Sequence, residues 1–175
     1  MNKAIFLDKD GTLVDNSGYP DIIPSDKIFF DRTIKGLKML QNAGFKLIII
    51  SSQPWVANGR LKTEQVEEIF KSVVMQYLNE GIKIDAYYYC PHNRSEGCKC
   101  KKPNVALLEI AAERFKINPS ESFFIGDMWE DILTGKNFGL KTILVKTGRE
   151  KDYNSTIEPD FIVEDVNEAA DKVIS

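Results

Sequence analysis

Short apolar runs alternate with amphipathic stretches along the chain, and this alternation restricts the possible folds more than any other feature of the sequence. Residues 4–7 and 46–50 are apolar-rich runs of the kind that form buried parallel strands. Residues 31–43 and 62–79 carry apolar side chains three and four positions apart, which predicts helices. Strands that alternate with helices build βαβ units with right-handed crossovers. We therefore predict an α/β fold with a Rossmann-like parallel sheet flanked by helices.

The same pattern continues to the end of the chain. It predicts further strands over residues 85–89, 122–125, 142–145 and 161–163. It predicts further helices over residues 103–115, 129–138 and 166–174, with Pro103 in the first helical turn. No repeat, linker or change of composition divides the 175 residues. We expect a single domain over 1–175, with a loop of residues 90–100 inserted after the third strand.

Charge and hydropathy argue against several classes of protein. The 23 Lys and Arg against 26 Asp and Glu leave a net charge of −3, without the clustered basic surplus of a nucleic-acid-binding protein. The longest aliphatic run, Leu47 to Ile50, is far shorter than the ~20 residues of a membrane span. The N-terminal residues carry no secretory signal. We expect a cytoplasmic protein that has neither nucleic-acid nor membrane partners. From its length we also expect it to be a monomer.

Polar loops follow four of the predicted strands. Ligands of an open parallel sheet bind beyond the carboxyl ends of the strands. The loops at those ends have the sequences DKDGT, SSQPW, CPHNRSEGCKCKKP and GDMWED. The polar residues therefore lie where this fold places a ligand site.

Asp8 and Asp10 in the first loop are separated by one residue, and Gly11 permits the chain to turn there. One carboxylate of such a pair can attack a substrate while the other transfers a proton. Both can instead coordinate a hard divalent cation through oxygen. A third interpretation is an ordinary acidic turn after a strand.

The other loops offer groups that suit a phosphate and a metal. Ser51 and Ser52 can supply hydroxyl and backbone N–H groups to an anion. The alternative is that they form a simple turn or helix cap. Lys102 can hold a phosphoryl oxygen, although a lone loop lysine is usually solvated. Asp127 can complete an oxygen site for Mg²⁺, or cap the helix that follows it. Each signal is weak alone, but their order at successive strand ends is specific.

Every cysteine of the chain and its only histidine lie in one loop, as Cys90, His92, Cys98 and Cys100. Three thiolates and one imidazole form a closed tetrahedral Zn²⁺ site, which is structural because it leaves no position for water. The alternative is a set of unrelated cysteines and a surface histidine. A zinc ion here would fix the loop that precedes Lys102.

These motifs resemble the four ordered motifs of the haloacid dehalogenase (HAD) superfamily of phosphatases. The resemblance runs from about Lys3 to Gly148 and rests on DKDGT, a serine after the second strand, Lys102 and GDMWED. It is closest to a small cap-less subgroup, the heptose bisphosphate phosphatases and the related histidinol-phosphatases. The segments YYYCPH, CKCKKP and VKTGR carry that closer similarity.

The resemblance implies a role for each motif. Asp8 would be the nucleophile that forms an aspartyl-phosphate, and Asp10 would protonate the leaving oxygen and then activate water. Mg²⁺ would be held by the Asp8 carboxylate, the Asp10 backbone carbonyl and Asp127. Ser51 and Lys102 would stabilise the transferring phosphoryl group. A cation and a lysine are needed because a carboxylate and a phosphate otherwise repel each other.

The subgroup also implies a substrate, a small phosphate ester such as the 7-phosphate of a heptose bisphosphate. A histidinol phosphate, or a phosphorylated ligand bound without turnover, remains an alternative. The chain departs from the subgroup at SSQPW, where TNQSG is common, and at Lys101, where arginine is usual. The resemblance implies no role for Trp55 or Met128. The implied substrate-binding residues are Gly18, Tyr19, Ser52, Gln53 and Lys101.

Overall fold

Six parallel strands form one sheet in the computed structural model, which describes residues 1–15, 29–149, 151 and 156–175. The strands are β1 (Ala4–Leu7), β2 (Lys46–Ser52), β3 (Ala86–Cys90), β4 (Phe123–Gly126), β5 (Lys141–Val145) and β6 (Phe161–Val163). Their order across the sheet is β3-β2-β1-β4-β5-β6. The predicted α/β fold is confirmed.

Within the described residues, five α-helices cover the two faces of the sheet. They are α1 (Asp31–Asn42), α2 (Thr63–Asn79), α3 (Ala106–Phe115), α4 (Trp129–Phe138) and α5 (Val166–Ile174). Alternate residues of β1 point to opposite faces, so that Ile5 and Leu7 pack with α1, α2 and α5 while Phe6 packs with α3. Apolar burial on both faces is why β1 is a continuous apolar run. Among the helices of the described ranges, none has the length and apolar character needed to span a bilayer.

Two element boundaries differ from the sequence prediction by more than one residue. β2 continues through Ser52, because Ser51 and Ser52 pair in register with the end of β3. The predicted start of a helix at Pro103 is wrong, since α3 begins at Ala106. Pro103 follows a cis peptide bond in a turn that the Asn104 N–H closes on the Lys101 carbonyl at 2.9 Å. The residue before a proline is disfavoured in helical conformation, which fits a turn at this point.

The strand order reverses between β1 and β4. Chain connections lead from β1 outward to β2 and β3 on one side, and from β4 outward to β5 and β6 on the other. Such a reversal opens a crevice at the carboxyl ends of the two central strands. Asp8 follows β1 and Asp127 follows β4, so both aspartates lie at this crevice.

Candidate active site

Asp8 and Asp10 project from a tight turn at the end of β1. The Asp8 N–H donates to the Ile125 carbonyl of β4 at 3.0 Å, which fixes the start of the turn. The Leu13 and Val14 N–H groups both donate to the Lys9 carbonyl, at 2.9 and 3.0 Å, and fold the chain back. Asp8 is buried, whereas Asp10 is partly exposed at the crevice. Both residues line the same cleft.

Three buried carboxylates meet at the crevice. Oxygens of Asp8, Asp127 and Asp131 all lie within 4.8 Å of one another. Burial raises the pKa of the Asp8 carboxyl well above its ordinary value, although Lys102 opposes the shift. Burial and the charge of Asp131 raise the pKa of Asp127 to about 7. A cluster that holds excess negative charge in oxygen ligands fits a hard divalent cation such as Mg²⁺.

Lys102 is the buried cation of the cluster. Its Nζ lies 2.6 Å from Asp8 Oδ1 and 2.5 Å from Asp131 Oδ1. Burial lowers the pKa of Lys102, but the two carboxylates outweigh burial and raise it above its ordinary value. Lys102 is therefore a fixed positive charge beside the predicted nucleophile.

Asp127 occupies a space that two glycines leave open. The Arg149 N–H donates to Asp127 Oδ2 at 2.7 Å. A Cβ built on Gly11 (φ +87°) would lie 2.5 Å from that oxygen, and one built on Gly148 would lie 2.1 Å from it. Asp127 does not cap α4, because the cap residue is Met128. The carboxylate is therefore free of a helix-capping role and points into the cluster.

Asp131 is a member of the cluster that ends the GDMWED segment but had no predicted role. Its Oδ2 accepts the Met128 N–H at 3.0 Å, and its Oδ1 accepts Lys102. An acidic side chain at the third residue of a helix is a recognisable capping position. That signal marks Asp131 as a helix cap, but its contact with a lysine 29 residues away depends on the tertiary fold.

Ser51 and Gln53 lie behind the crevice and are both buried. The Gln53 side-chain amide donates to Asp10 Oδ2 at 2.9 Å and to Ser51 Oγ at 2.9 Å. Lys9, whose side chain is also buried, pairs with the other oxygen of Asp10. Gln53 thus contacts two predicted catalytic residues directly.

A cleft of about 240 Å³ opens above the carboxylate cluster. Among the predicted site residues, those lining it are Asp8, Asp10, Ser52, Lys101, Lys102 and Asp127. The predicted substrate contacts Gly18 and Tyr19 lie outside the described residues. The described residues of the predicted catalytic and substrate site therefore either line this one cleft or, as Ser51 and Gln53, lie buried beneath it.

Several cleft residues had no predicted role. Trp55 and Met128 both line the cleft. Arg94, Glu130 and Arg149 also line it, and Arg94 pairs with Glu130 at 2.5 Å. Arg94 lies in the cysteine loop and Arg149 ends the VKTGR segment, but no role was predicted for either residue. The cleft consequently has cations at its rim as well as at its base.

Cys90, His92, Cys98 and Cys100 converge beside the cleft. Their ligand atoms lie within 4.8 Å of one another, with the shortest sulfur–sulfur separation, 3.0 Å, between Cys100 and Cys90. The His92 Nδ1 lies 3.2 Å from the Cys100 sulfur. The three cysteines are not joined in disulfides. The donor set and its convergence fit a closed Zn²⁺ site.

The comparisons with known proteins agree with this geometry. The family model described as HAD-hydrolase-like matches residues 99–169. The D-glycero-beta-D-manno-heptose-1,7-bisphosphate 7-phosphatase of Pasteurella multocida is 33% identical over 173 residues, which cover 95% of this chain and 94% of that protein. The enzyme of the same name from Escherichia coli K12 is 31% identical over 155 residues, covering 83% and 80%.

A solved structure shares the fold over the full length. The D,D-heptose 1,7-bisphosphate phosphatase of B. bronchiseptica, complexed with magnesium and phosphate, superposes with a TM-score of 0.88 at 23% identity. The match covers 98% of each chain. With the sequence relatives above, these similarities identify the reaction class as phosphate-ester hydrolysis. The chain belongs to the HAD-like phosphatase family, in the branch that these relatives form.

Proposed function

We propose that this protein is a Mg²⁺-dependent phosphatase that removes the 7-phosphate of D-glycero-D-manno-heptose 1,7-bisphosphate through an aspartyl-phosphate at Asp8. The observation that carries the proposal is the buried Asp8 carboxylate, 2.6 Å from Lys102 and grouped with Asp127 and Asp131. The substrate is inferred from the relatives' names and from the size and charge of the cleft.

The reaction begins when a carboxylate oxygen of Asp8 attacks phosphorus and the bond to the sugar oxygen breaks. Lys102 and the Ser51 hydroxyl offset the charge of the phosphoryl oxygens. Mg²⁺, held by the Asp8 and Asp127 carboxylates and the Asp10 backbone carbonyl, would supply further charge stabilisation. Burial of Asp8 and Lys102 strengthens these interactions, because water screens buried charges less than exposed ones.

Asp10 transfers the protons in both halves of the reaction. Its partly exposed carboxyl lines the cleft beside the predicted nucleophile. In the first half, Asp10 donates its proton to the departing sugar oxygen. In the second half, the resulting carboxylate takes a proton from the water that attacks the aspartyl-phosphate. Asp8 is thereby regenerated and inorganic phosphate is released.

Three cations at the rim of the cleft suit a second phosphate. Arg94, Lys101 and Arg149 line the same opening as Asp8, in addition to the buried Lys102. Ser52 adds a hydroxyl that can contact the sugar. Lys101 offers a point charge rather than the planar fork of an arginine. Arg94 and Arg149 place guanidinium groups in the described cleft, and these can bind a phosphate with two hydrogen bonds.

We also propose that Cys90, His92, Cys98 and Cys100 hold a structural Zn²⁺. The cluster lies between the end of β3 and the turn that carries Lys101 and Lys102. Asn104 adds a hydrogen bond from its side-chain amide to the Cys98 carbonyl at 2.9 Å. Zinc would therefore hold the loop that presents both lysines to the cleft. A cytoplasmic monomer without nucleic-acid or membrane partners stays a prediction.

One observation keeps histidinol phosphate as a second candidate. Glu130 lines the cleft, and its Oε2 is buried without a hydrogen-bond partner among the described residues. A carboxylate there could accept a hydrogen bond from a substrate amine. A sugar hydroxyl can donate to the same oxygen, so substrates must be compared directly.

The experiment measures phosphate release with Mg²⁺ from both anomers of heptose 1,7-bisphosphate, histidinol phosphate and an aryl phosphate. We expect preference for one heptose anomer and loss of all turnover in Asp8→Asn. Asp171→Asn is the matched control, since Asp171 is exposed on α5 and does not line the cleft. Preference for histidinol phosphate would reassign the substrate. Absence of release from every ester would leave a binding domain and refute the proposal.

A further inference from the structure

Gln53 lies entirely inside the protein, although the resemblance placed it among the substrate contacts. Its exposed fraction is 0%, and it is not among the residues that line the cleft. Its backbone N–H donates to the Cys90 carbonyl at the end of β3 at 2.7 Å. The residue is thus fixed by its backbone as well as by its side chain.

Both hydrogens of the Gln53 amide are used on catalytic side chains. The amide nitrogen lies 2.9 Å from Asp10 Oδ2 and 2.9 Å from Ser51 Oγ. The amide nitrogen is the atom that faces Asp10, and it is the donor to both the carboxyl oxygen and the serine oxygen. Since Ser51 Oγ accepts from Gln53, the Ser51 hydrogen remains available for a phosphoryl oxygen.

A buried amide is costly unless its polar atoms are bonded. An apolar side chain of the same length, such as methionine, would fill this space without that cost. The amide therefore has a use beyond packing, and its two donor contacts show where that use lies. Asp10 has Lys9 at one oxygen and Gln53 at the other, which leaves little freedom for the carboxylate plane.

We propose that Gln53 is a positioning residue that holds Asp10 in the orientation needed to protonate the leaving group. The inference rests on the proposed function of Asp10. As Asp8 bonds to phosphorus, the phosphorus–oxygen bond to the leaving group breaks and its electron pair stays on oxygen. The Asp10 proton moves to that oxygen. A carboxyl that can rotate away misses this transfer, since catalytic groups must be held to about 0.5 Å.

The leaving group provides the test. An ester with a poor leaving group needs the proton, whereas 2,4-dinitrophenolate leaves without one. We would measure kcat/KM for phenyl phosphate and for 2,4-dinitrophenyl phosphate in wild type, Gln53→Met and Asp10→Asn. Any weakening of the Ser51 contact affects both esters equally, because both carry the same phosphoryl group. The ratio of the two kcat/KM values therefore isolates the effect on Asp10.

We expect Gln53→Met to lower the phenyl-to-dinitrophenyl ratio by about 10-fold, part of the effect of a general acid. Gln76→Met is the matched control, because its amide also donates to a serine hydroxyl, at 3.2 Å, but on α2 away from the cleft. An unchanged ratio in Gln53→Met, beside a lowered ratio in Asp10→Asn, would overturn the role of Gln53 alone. An unchanged ratio in Asp10→Asn would overturn the proposed acid and the inference together.

If Gln53 had only a structural role, Gln53→Met would lower the melting temperature and would lower kcat/KM for both esters by the same factor. Should Gln53→Met fail to fold, Gln53→Asn keeps an amide that is too short to reach both acceptors. The same ratio measured on that variant supports or overturns the proposal in the same way.

Discussion

Gly148→Ala tests how tightly the protein shapes the space around Asp127. A methyl group on Gly148 would lie 2.1 Å from Asp127 Oδ2 and 2.7 Å from the Gly11 backbone. Gly148 is absent from the described glycines with positive φ, so backbone conformation does not forbid alanine there. The contact alone decides the effect of the substitution.

The size of the effect follows from the required movement. Real Cβ atoms essentially never approach closer than 3.0 Å, so the methyl and Asp127 Oδ2 must separate by about 0.9 Å. Gly11 closes the other side, and the Arg149 N–H holds the same oxygen at 2.7 Å. A displacement of about 1 Å at a catalytic group costs about 10²-fold in rate. That corresponds to about 2.7 kcal/mol of activation free energy.

The assay is phosphate release as a function of Mg²⁺ concentration. We expect Gly148→Ala to raise the Mg²⁺ needed for half-maximal rate and to lower kcat/KM by about 10²-fold. Gly44→Ala serves as the control, because Gly44 has a positive φ but a methyl group on it would meet no other atom within 4 Å. The Gly44→Ala variant should lose stability but should need the same Mg²⁺ concentration for half-maximal rate as wild type. Wild-type Mg²⁺ dependence and rate in Gly148→Ala would refute the reasoning.

Three further predictions concern the lysine, the cysteine loop and one surface carboxylate. Lys102→Met removes the only described cation between Asp8 and Asp131, and kcat should fall by about 10²–10³-fold; near-normal turnover would contradict its role. Removing zinc with a chelator should lower activity while Asp8 is intact, and added Zn²⁺ should restore it. Full turnover in a folded, metal-stripped sample would show that activity does not depend on the zinc-held cysteine loop. Burial opposes ionisation of Asp160, but hydrogen bonds from Lys136 and Thr142 lower its pKa below 3.8. The stabilisation by ionised Asp160 is present at neutral pH and is lost as the pH falls through the folded-state pKa, so the decrease in melting temperature caused by Asp160→Asn should be largest at neutral pH and shrink on acidification.

The order of strands and helices could be predicted because each element has a strong local pattern. Burial on both faces makes β1 and the centre of β2 continuous apolar runs, and α2 shows a clear three-and-four repeat. Boundaries that depend on pairing or turns could not be predicted. β2 gains Ser51 and Ser52 only because β3 lies beside it, and Pro103 forms a turn instead of starting α3.

The site was predictable where residues act from strand ends, because the sheet brings those ends together. Asp8, Asp10 and Asp127 meet at the crevice for this reason. Contacts between loops leave no comparable pattern in the sequence from which they could be predicted. Asp131 resembles a helix cap in the sequence, and only the fold brings it to Lys102. The orientation of Gln53 also escaped prediction, since neighbouring residues in an irregular loop can point outward or inward.

The most direct test of the account is to trap the phosphorylated protein. Heptose 1,7-bisphosphate labelled in its 7-phosphate would be mixed with enzyme and Mg²⁺, quenched in acid within one turnover, and the labelled peptide sequenced. The account predicts label on Asp8, lost on treatment with hydroxylamine, and no label in Asp8→Asn. Steady phosphate release without labelled protein at any quench time, or turnover that persists in Asp8→Asn, would contradict it.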